Sequence, residues 1–144
     1  MKRTLYSRAG FTLLEIMIVV LIIGLLIGVA VKGVKQLEYA REVAVKGHIE
    51  GYKTNLLMYQ GMNGNYPTTE QGLKALVTKP GSEPRPRNWR PIMDAPTLDP
   101  WQKEYNYAMP GKHNTTSYDI YSSGPDGIPD TADDIGNWDS APTN

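Results

Sequence analysis

From Phe11 to Val31 the chain is apolar apart from Thr12, two glycines and one carboxylate, Glu15. As a helix this run spans about 31 Å, enough to cross a hydrocarbon core of about 30 Å. The segment is therefore expected to span a membrane, and Glu15 is expensive there. An intramembrane acid is usually kept because a partner satisfies it. Glu15 has no neighbour in sequence to pair with, so its partner is expected on another molecule. Lys2, Arg3 and Arg8 precede the run, which predicts a cytoplasmic N-terminus and sends everything after Val31 across the membrane. Lys32 and Lys35 on the far side weaken this only slightly. The alternative is an ordinary secretory signal cut after Gly28-Val29-Ala30. It fits poorly, because such signals have an apolar core of about 7–15 residues and no acid in it.

What lies beyond the run amounts to one small domain. The whole chain has 144 residues, 15 basic and 15 acidic, with no cysteine. Disulfides and thiolate metal sites are thereby excluded, and His48 and His113 are too few and too far apart for a zinc cage. There is no basic footprint for nucleic acid. No nucleophile elbow or phosphate-cradling glycine loop is present, so the chain is not read as an enzyme.

Breaker residues and periodicity organise the domain. There is no proline from Phe11 to Gly61, and apolar positions recur at helical spacing at Val34, Leu37, Ala40, Ala44, Ile49, Tyr52, Leu56 and Tyr59. Glu38 with Arg41, Glu42 with Lys46 and Glu50 with Lys53 have supportive spacings. A continuous helix of about 50 residues would be about 75 Å long, so only its second half can lie on the domain. Gly24 and Gly28 suit either close helix approach or local flexibility. Asn63 to Pro67 ends the helix, and Thr68 with Gln71 has capping-box spacing before a short second helix carrying Leu73, Leu76 and Val77. Five further prolines from Pro84 to Pro100 predict a long ordered loop after Pro80, pinned by Trp89 and edged by solvated Arg85, Arg87 and Arg90. Strands are expected at 105–109, 117–121 and 135–138. The result is an α+β fold, with a long N-terminal helix packed on a small antiparallel sheet. Trp101 and Trp138 are read as core packing.

Asp126, Asp130, Asp133 and Asp134 fall within nine residues of a loop broken by Gly124, Pro125, Gly127 and Pro129. A hard cation such as calcium would suit these oxygens. The EF-hand pattern does not fit, and on residues alone a solvated acidic turn is the simpler reading.

A basic leader ending in Gly10, followed by Phe11-Thr12-Leu13-Leu14-Glu15, resembles the class III signal of type IV pilins and of type II secretion pseudopilins. Tyr66 to Leu73, Asp99-Pro100-Trp101, Tyr118 to Ser122, Gly124 to Gly127 and Asp133 to Trp138 resemble, in order and spacing, the major pseudopilins, the G subunits of type II secretion. Ser123 departs from that pattern, and so does Gln102-Lys103-Glu104, where a Gly-containing turn is usual. The resemblance implies three segments: a leader, 1–10, removed by a prepilin peptidase between Gly10 and Phe11; a transmembrane and filament-core helix, 11–34; and a periplasmic domain, 35–144. It implies N-methylation of Phe11 and pairing of the Phe11 ammonium with Glu15 of a neighbour. It implies self-association into a helical filament with minor pseudopilins on an inner-membrane platform, for export of folded proteins. It also reverses the reading of the acidic loop: a structural calcium held by Asp126, Asp133 and Asp134, with the carbonyls of Ser123 and Ile128, and no counterpart for Asp130. The mature chain would carry a formal charge of about −3 once the three basic leader residues are gone. Two alternatives remain. One is a type IV pilin subunit, disfavoured by the missing C-terminal cysteines and by the acidic loop. The other is a monomeric membrane-anchored calcium-binding module, which leaves Glu15 and Gly10-Phe11 unexplained.

Overall fold

The computed structural model describes residues 11–138, and for 29–34 the backbone alone. The leader residues and the Gly10 side of the expected cleavage site therefore lie outside the described residues. The chain forms two compact units, which divide between Tyr39 and Ala40.

Helix α1 runs over Leu13–Asn63 without interruption, as the absence of proline requires. Its large apolar side chains from Leu13 to Ile27 are all exposed. Among the described residues no helical stretch is long and apolar enough to cross a membrane. The described apolar side chains end at Gly28, short of the expected end at Val31. The helix stops where Gly64 takes a left-handed φ of 87°, which costs glycine little.

In the second unit one seam of α1 supplies half the core. Val45, Ile49, Tyr52, Leu56 and Tyr59 are buried at alternating spacings of four and three. They cluster with Leu73, Ala75, Leu76, Tyr105, Tyr118 and Ile120. The expected stripe is corrected at its N-terminal end: Leu37 and Ala40 are exposed and Val45 takes the core position, while the side chain of Val34 is outside the described residues. Of the three expected ion pairs, Glu50–Lys53 closes at 2.7 Å. Arg41 instead lies over the Trp101 ring, 5.9 Å from its centroid.

The sheet has three antiparallel strands in the order β1 (Asn106–Ala108), β2 (Asp119–Ser122) and β3 (Ile135–Gly136). All three are shorter than expected. β2 is central and nearly buried, with Ile120 fully so. Tyr105, just before β1, reaches α1 at Tyr52, ring to ring at 5.4 Å, and its hydroxyl lies 2.9 Å from His48 Nδ1.

The capping box forms, but not on a helix. Thr68 Oγ1 accepts from Gln71 N and Gln71 Oε1 accepts from Thr68 N, both at 3.2 Å. Gly72 then takes a φ of 57°, and only a 3₁₀ turn, Leu73–Leu76, follows. The Gln71 amide is thereby aimed at the proline-rich loop, donating to Ser82 O and Pro84 O. Trp89 Nε1 donates to Ala75 O at 2.8 Å and Ile92 N to Leu76 O at 2.8 Å, and Asn88 N donates to Asn63 Oδ1. The loop is thus pinned as the sequence suggested, with Trp89 one of several pins. Arg85, Arg87 and Arg90 face solvent.

Candidate functional site

Two places carry chemistry, one in each unit. In the first, Thr12 caps α1, its Oγ1 accepting from Glu15 N at 3.2 Å. Thr12 and Glu15 share the spacing of a capping box, and an acid in the first turn suits the positive end of the helix dipole. The Thr12 cap went unremarked in the sequence, although the Thr-x-x-Glu signal was there to find. Among the described residues the Glu15 carboxylate has no hydrogen-bond or ion-pair partner. Phe11, immediately before the cap, is 79% exposed.

In the second unit the acidic loop joins β2 to β3. Its start is fixed by a buried relay: Gly124 N donates to Ser122 Oγ, and Ser122 Oγ donates to Asp99 Oδ2 at 2.5 Å. Asp99, 1% exposed, also accepts from Trp101 N and Lys103 N. Gly124 has φ 59°, and a Cβ there would strike Asp133.

Within the loop the carboxylates hold their own backbone. Asp126 Oδ1 accepts from Ile128 N at 2.7 Å, Asp133 Oδ2 from Asp126 N at 3.2 Å, and Asp134 Oδ2 from Asp130 N at 2.8 Å. The Thr131 hydroxyl sits 2.7 Å from Asp133 Oδ1 and 3.0 Å from the Ile128 carbonyl. The Ser123 carbonyl accepts from Gly127 N. Asp130 turns outward at φ 66° to pair with Lys112 at 2.7 Å. Asp134 Oδ1 is buried with no hydrogen-bond partner among the described residues.

The electrostatics follow from these contacts. Burial pushes the Asp134 carboxyl up from the usual range, and the neighbouring Asp133 and Asp130 charges add to it against hydrogen bonds from Asp130 and Thr131. The Thr131 hydroxyl, with the Asp126 amide, holds Asp133 below that range. Among the described residues no three acidic or histidine side chains stand gathered around a ready metal position. All five residues expected to supply oxygens lie in this one loop, but its carboxylates are not gathered around a common point. The donor set is purely oxygen, as a hard cation requires, and the orphaned Asp134 Oδ1 is an acceptor such an ion would satisfy.

A second buried acid, Asp119, was also not assigned a role from sequence. It is 2% exposed and accepts from His113 N at 2.7 Å, Asn114 N at 2.9 Å and Asn114 Nδ2 at 2.9 Å, which closes the β1–β2 connection. A Cβ on Gly111 would collide with it. Burial works to raise its pKa, but these donors outweigh it and hold the carboxyl below 3.8. Its stabilising contribution is therefore full above the ordinary aspartate range and is lost as pH falls through the depressed folded value. Asp119→Asn is expected to flatten the acid limb of domain stability, and Asp119→Ala to cost about 2–4 kcal/mol at neutral pH. Denaturant melts at pH 7 and pH 3 read both. Equal acid slopes for wild type and Asp119→Asn would remove this role.

His113 and Trp138 stack with ring centroids 3.9 Å apart, and Trp138 also leans on Tyr121 at 5.3 Å. Trp138 is thus packing at the sheet edge, half-buried.

Residues 32–138 match the family described as type II secretion system (T2SS), protein G, and residues 5–31 match the prokaryotic N-terminal methylation motif. The chain is similar to the type II secretion system core protein G of Pectobacterium carotovorum subsp. carotovorum, 46% identical over 137 residues, covering 92% of this chain and 86% of that protein. It is similar to the one from Pseudomonas aeruginosa at 41% over 140 residues, covering 93% and 97%. The crystal structure of the major pseudopilin from the type 2 secretion system of enterohaemorrhagic Escherichia coli aligns with a TM-score of 0.70 at 40% identity, covering 76% of this chain and 92% of that one. With its unbroken α1, its small antiparallel sheet and both motif regions accounted for, the chain belongs to the type II secretion system protein G family.

Proposed function

We propose that the chain is a structural, non-catalytic subunit that is cut by a prepilin peptidase between Gly10 and Phe11, methylated at Phe11 and held in the inner membrane by its apolar helix. Its C-terminal domain lies in the periplasm. There it polymerises with copies of itself on an inner-membrane platform, joined by minor pseudopilins, into a pseudopilus that drives folded proteins across the outer membrane. The observation that carries this reading is the start of α1: exposed apolar side chains from Leu13 to Ile27 around one acid, Glu15, whose amide is capped and whose carboxylate has no partner among the described residues. A new ammonium on Phe11 of a neighbouring subunit satisfies that carboxylate where leaving either charge alone would be costly. A calcium ion held by Asp126, Asp133 and Asp134, with the carbonyls of Ser123 and Ile128, neutralises the acidic loop and occupies the free acceptor on Asp134.

Mass spectrometry of the mature N-terminus tests the processing. The expected chain starts at Phe11 and carries one methyl group, and Gly10→Ala slows its appearance. A mature chain starting at Val31 would instead establish a secretory signal and end the filament reading.

A further inference from the structure

Off α1, the most exposed large apolar side chain among the described residues of the second unit is Ile128, 58% exposed in the acidic loop. It is held outward by its own backbone. Ile128 N donates to Asp126 Oδ1 at 2.7 Å, and the Ile128 carbonyl accepts from Thr131 Oγ1 at 3.0 Å. A single exposed isoleucine would need no explanation, but its surroundings give it one.

Gly127, the residue before it, lies against the Lys103 side chain: a Cβ there would stand 3.4 Å from Lys103 Cε and 3.9 Å from Nζ. Lys103 is exposed and shares a tight turn with Trp101, both backbone amides donating to Asp99 Oδ1, at 2.8 and 3.0 Å. Trp101 is half-buried, with the Arg41 guanidinium over its ring. Neither Lys103 nor Arg41 has an ion-pair partner among the described residues. Glu104, next along the chain, is spent elsewhere, lining a cleft with Tyr52 and Lys74. Turn and loop thus present an isoleucine, a tryptophan and two unpaired basic heads as one continuous strip.

We infer that this strip docks on the headgroup layer of a bilayer containing anionic phospholipid, and holds the domain at the membrane before the subunit enters a filament. The inference rests on the reading of the chain as membrane-anchored. Tryptophan, arginine and lysine are the side chains that settle at a bilayer interface, where ring and stems meet acyl chains and the cationic heads meet phosphate. A guanidinium stacked on a ring keeps its N–H fork for phosphate oxygens. Glu42 and Asp126, exposed beside Arg41 and Gly127 in sequence, make the attraction local, between two basic heads and individual phosphates, and not a field of the whole domain. The chain's connectivity selects this partner. Arg41 follows Val31, the expected end of the apolar run, by ten residues, so it stays within about 35 Å of the bilayer. A tether so short raises the effective concentration of lipid until a surface too weak to bind a free domain suffices.

The chain has no cysteine, so one introduced cysteine can carry a fluorophore at a chosen place. Full-length Ile128→Cys, and Arg85→Cys on the proline-rich loop as control, are labelled and reconstituted at low protein density into vesicles of phosphatidylethanolamine and phosphatidylglycerol with brominated acyl chains. Bromine is expected to quench the label at 128 and not the one at 85. Adding Lys103→Gln, or replacing phosphatidylglycerol by phosphatidylcholine, should each lower the ratio of quenched to unquenched label at least about fivefold. Equal quenching at 128 and 85, in a chain that still floats with the vesicles, would overturn the inference and leave the anchored reading intact. Shielding of the label at 128 that rises with protein density and ignores both lipid charge and Lys103→Gln would overturn the choice of lipid and assign the strip to a second copy. A wild-type chain that does not float with the vesicles overturns the anchored reading itself, and this inference with it.

Discussion

Chelating the proposed calcium from the purified domain, residues 35–144, is expected to lower its melting temperature by about 10–20 °C. An ion present at about a hundred times its dissociation constant stabilises the folded state by about 2.7 kcal/mol, and each kcal/mol shifts the midpoint of a domain of this size by about 4–8 °C. The reason lies in how little else holds the region. β3 is two residues long, and the loop before it carries four carboxylates, one with a buried oxygen that has no hydrogen-bond partner among the described residues. Without a cation their mutual repulsion pulls on the only segment that returns the chain to β2. Asp134→Ala should melt low and be indifferent to chelator, whereas the wild type should recover when calcium is restored. Superimposable wild-type melts in chelator and in calcium, with no metal by elemental analysis, would return the loop to a solvated turn held by its own hydrogen bonds.

Glu15→Leu is expected to leave membrane insertion and the melting temperature of the domain unchanged while abolishing assembly. Leucine improves the apolar segment, and Thr12 still caps the helix, because the cap uses the residue 15 amide and not its side chain. The Phe11 ammonium of the adjoining subunit is then left without its counter-charge. Breaking such a pair costs about 3–5 kcal/mol, which at 1.4 kcal/mol per tenfold is a loss of at least about a hundredfold in each docking step. Filaments counted by electron microscopy and exoprotein in the medium should both fall to background. Normal filaments from this variant, in cells without the wild-type subunit, would separate Glu15 from assembly and leave it as an acid that suits the positive end of the helix dipole.

The elements best read from sequence are those dictated by local chemistry. The length of α1 followed from the absence of proline, and its end at Asn63 from Asn-Gly-Asn turn chemistry. The presence of three strands in an antiparallel sheet followed from short segments between breakers. Where tertiary contacts decide, the reading slipped. Periodicity could not say that the core begins at Val45 and not at Leu37, because only the sheet, some sixty residues on, defines which face is inside. The Thr68–Gln71 box was visible, but its redirection into a loop clamp depends on Gly72 and on Ser82 and Pro84 arriving from elsewhere. Asp99 and Asp119 looked like motif residues without a task. Their tasks are to satisfy backbone and hydroxyl donors inside the fold, and for Asp99 the Ser122 partner is 23 residues away. The departure at Gln102 has a physical counterpart: it sits at φ 65°, a conformation that costs a non-glycine residue about 1–2 kcal/mol and that a Gly-containing turn would adopt freely. In the acidic loop, sequence showed the clustering of carboxylates. It did not show that one oxygen of Asp126, one of Asp134 and both of Asp133 are already engaged with the loop's own amides and hydroxyl.

The loop from Pro80 to Pro100 divides its residues between two kinds of freedom. Its shape is set from outside by Gln71, Asn63 and the carbonyls of Ala75 and Leu76, through Trp89 and a few backbone groups. Arg85, Arg87 and Arg90 face solvent and are none of those pins, and Arg85 pairs with its exposed loop neighbour Glu83 at 3.1 Å. The surface text of the loop is therefore uncoupled from its folding. Drift can rewrite the three arginines to suit a different neighbour or cargo without a stability toll, whereas a change at Gln71, Asn63 or Trp89 loosens every letter at once.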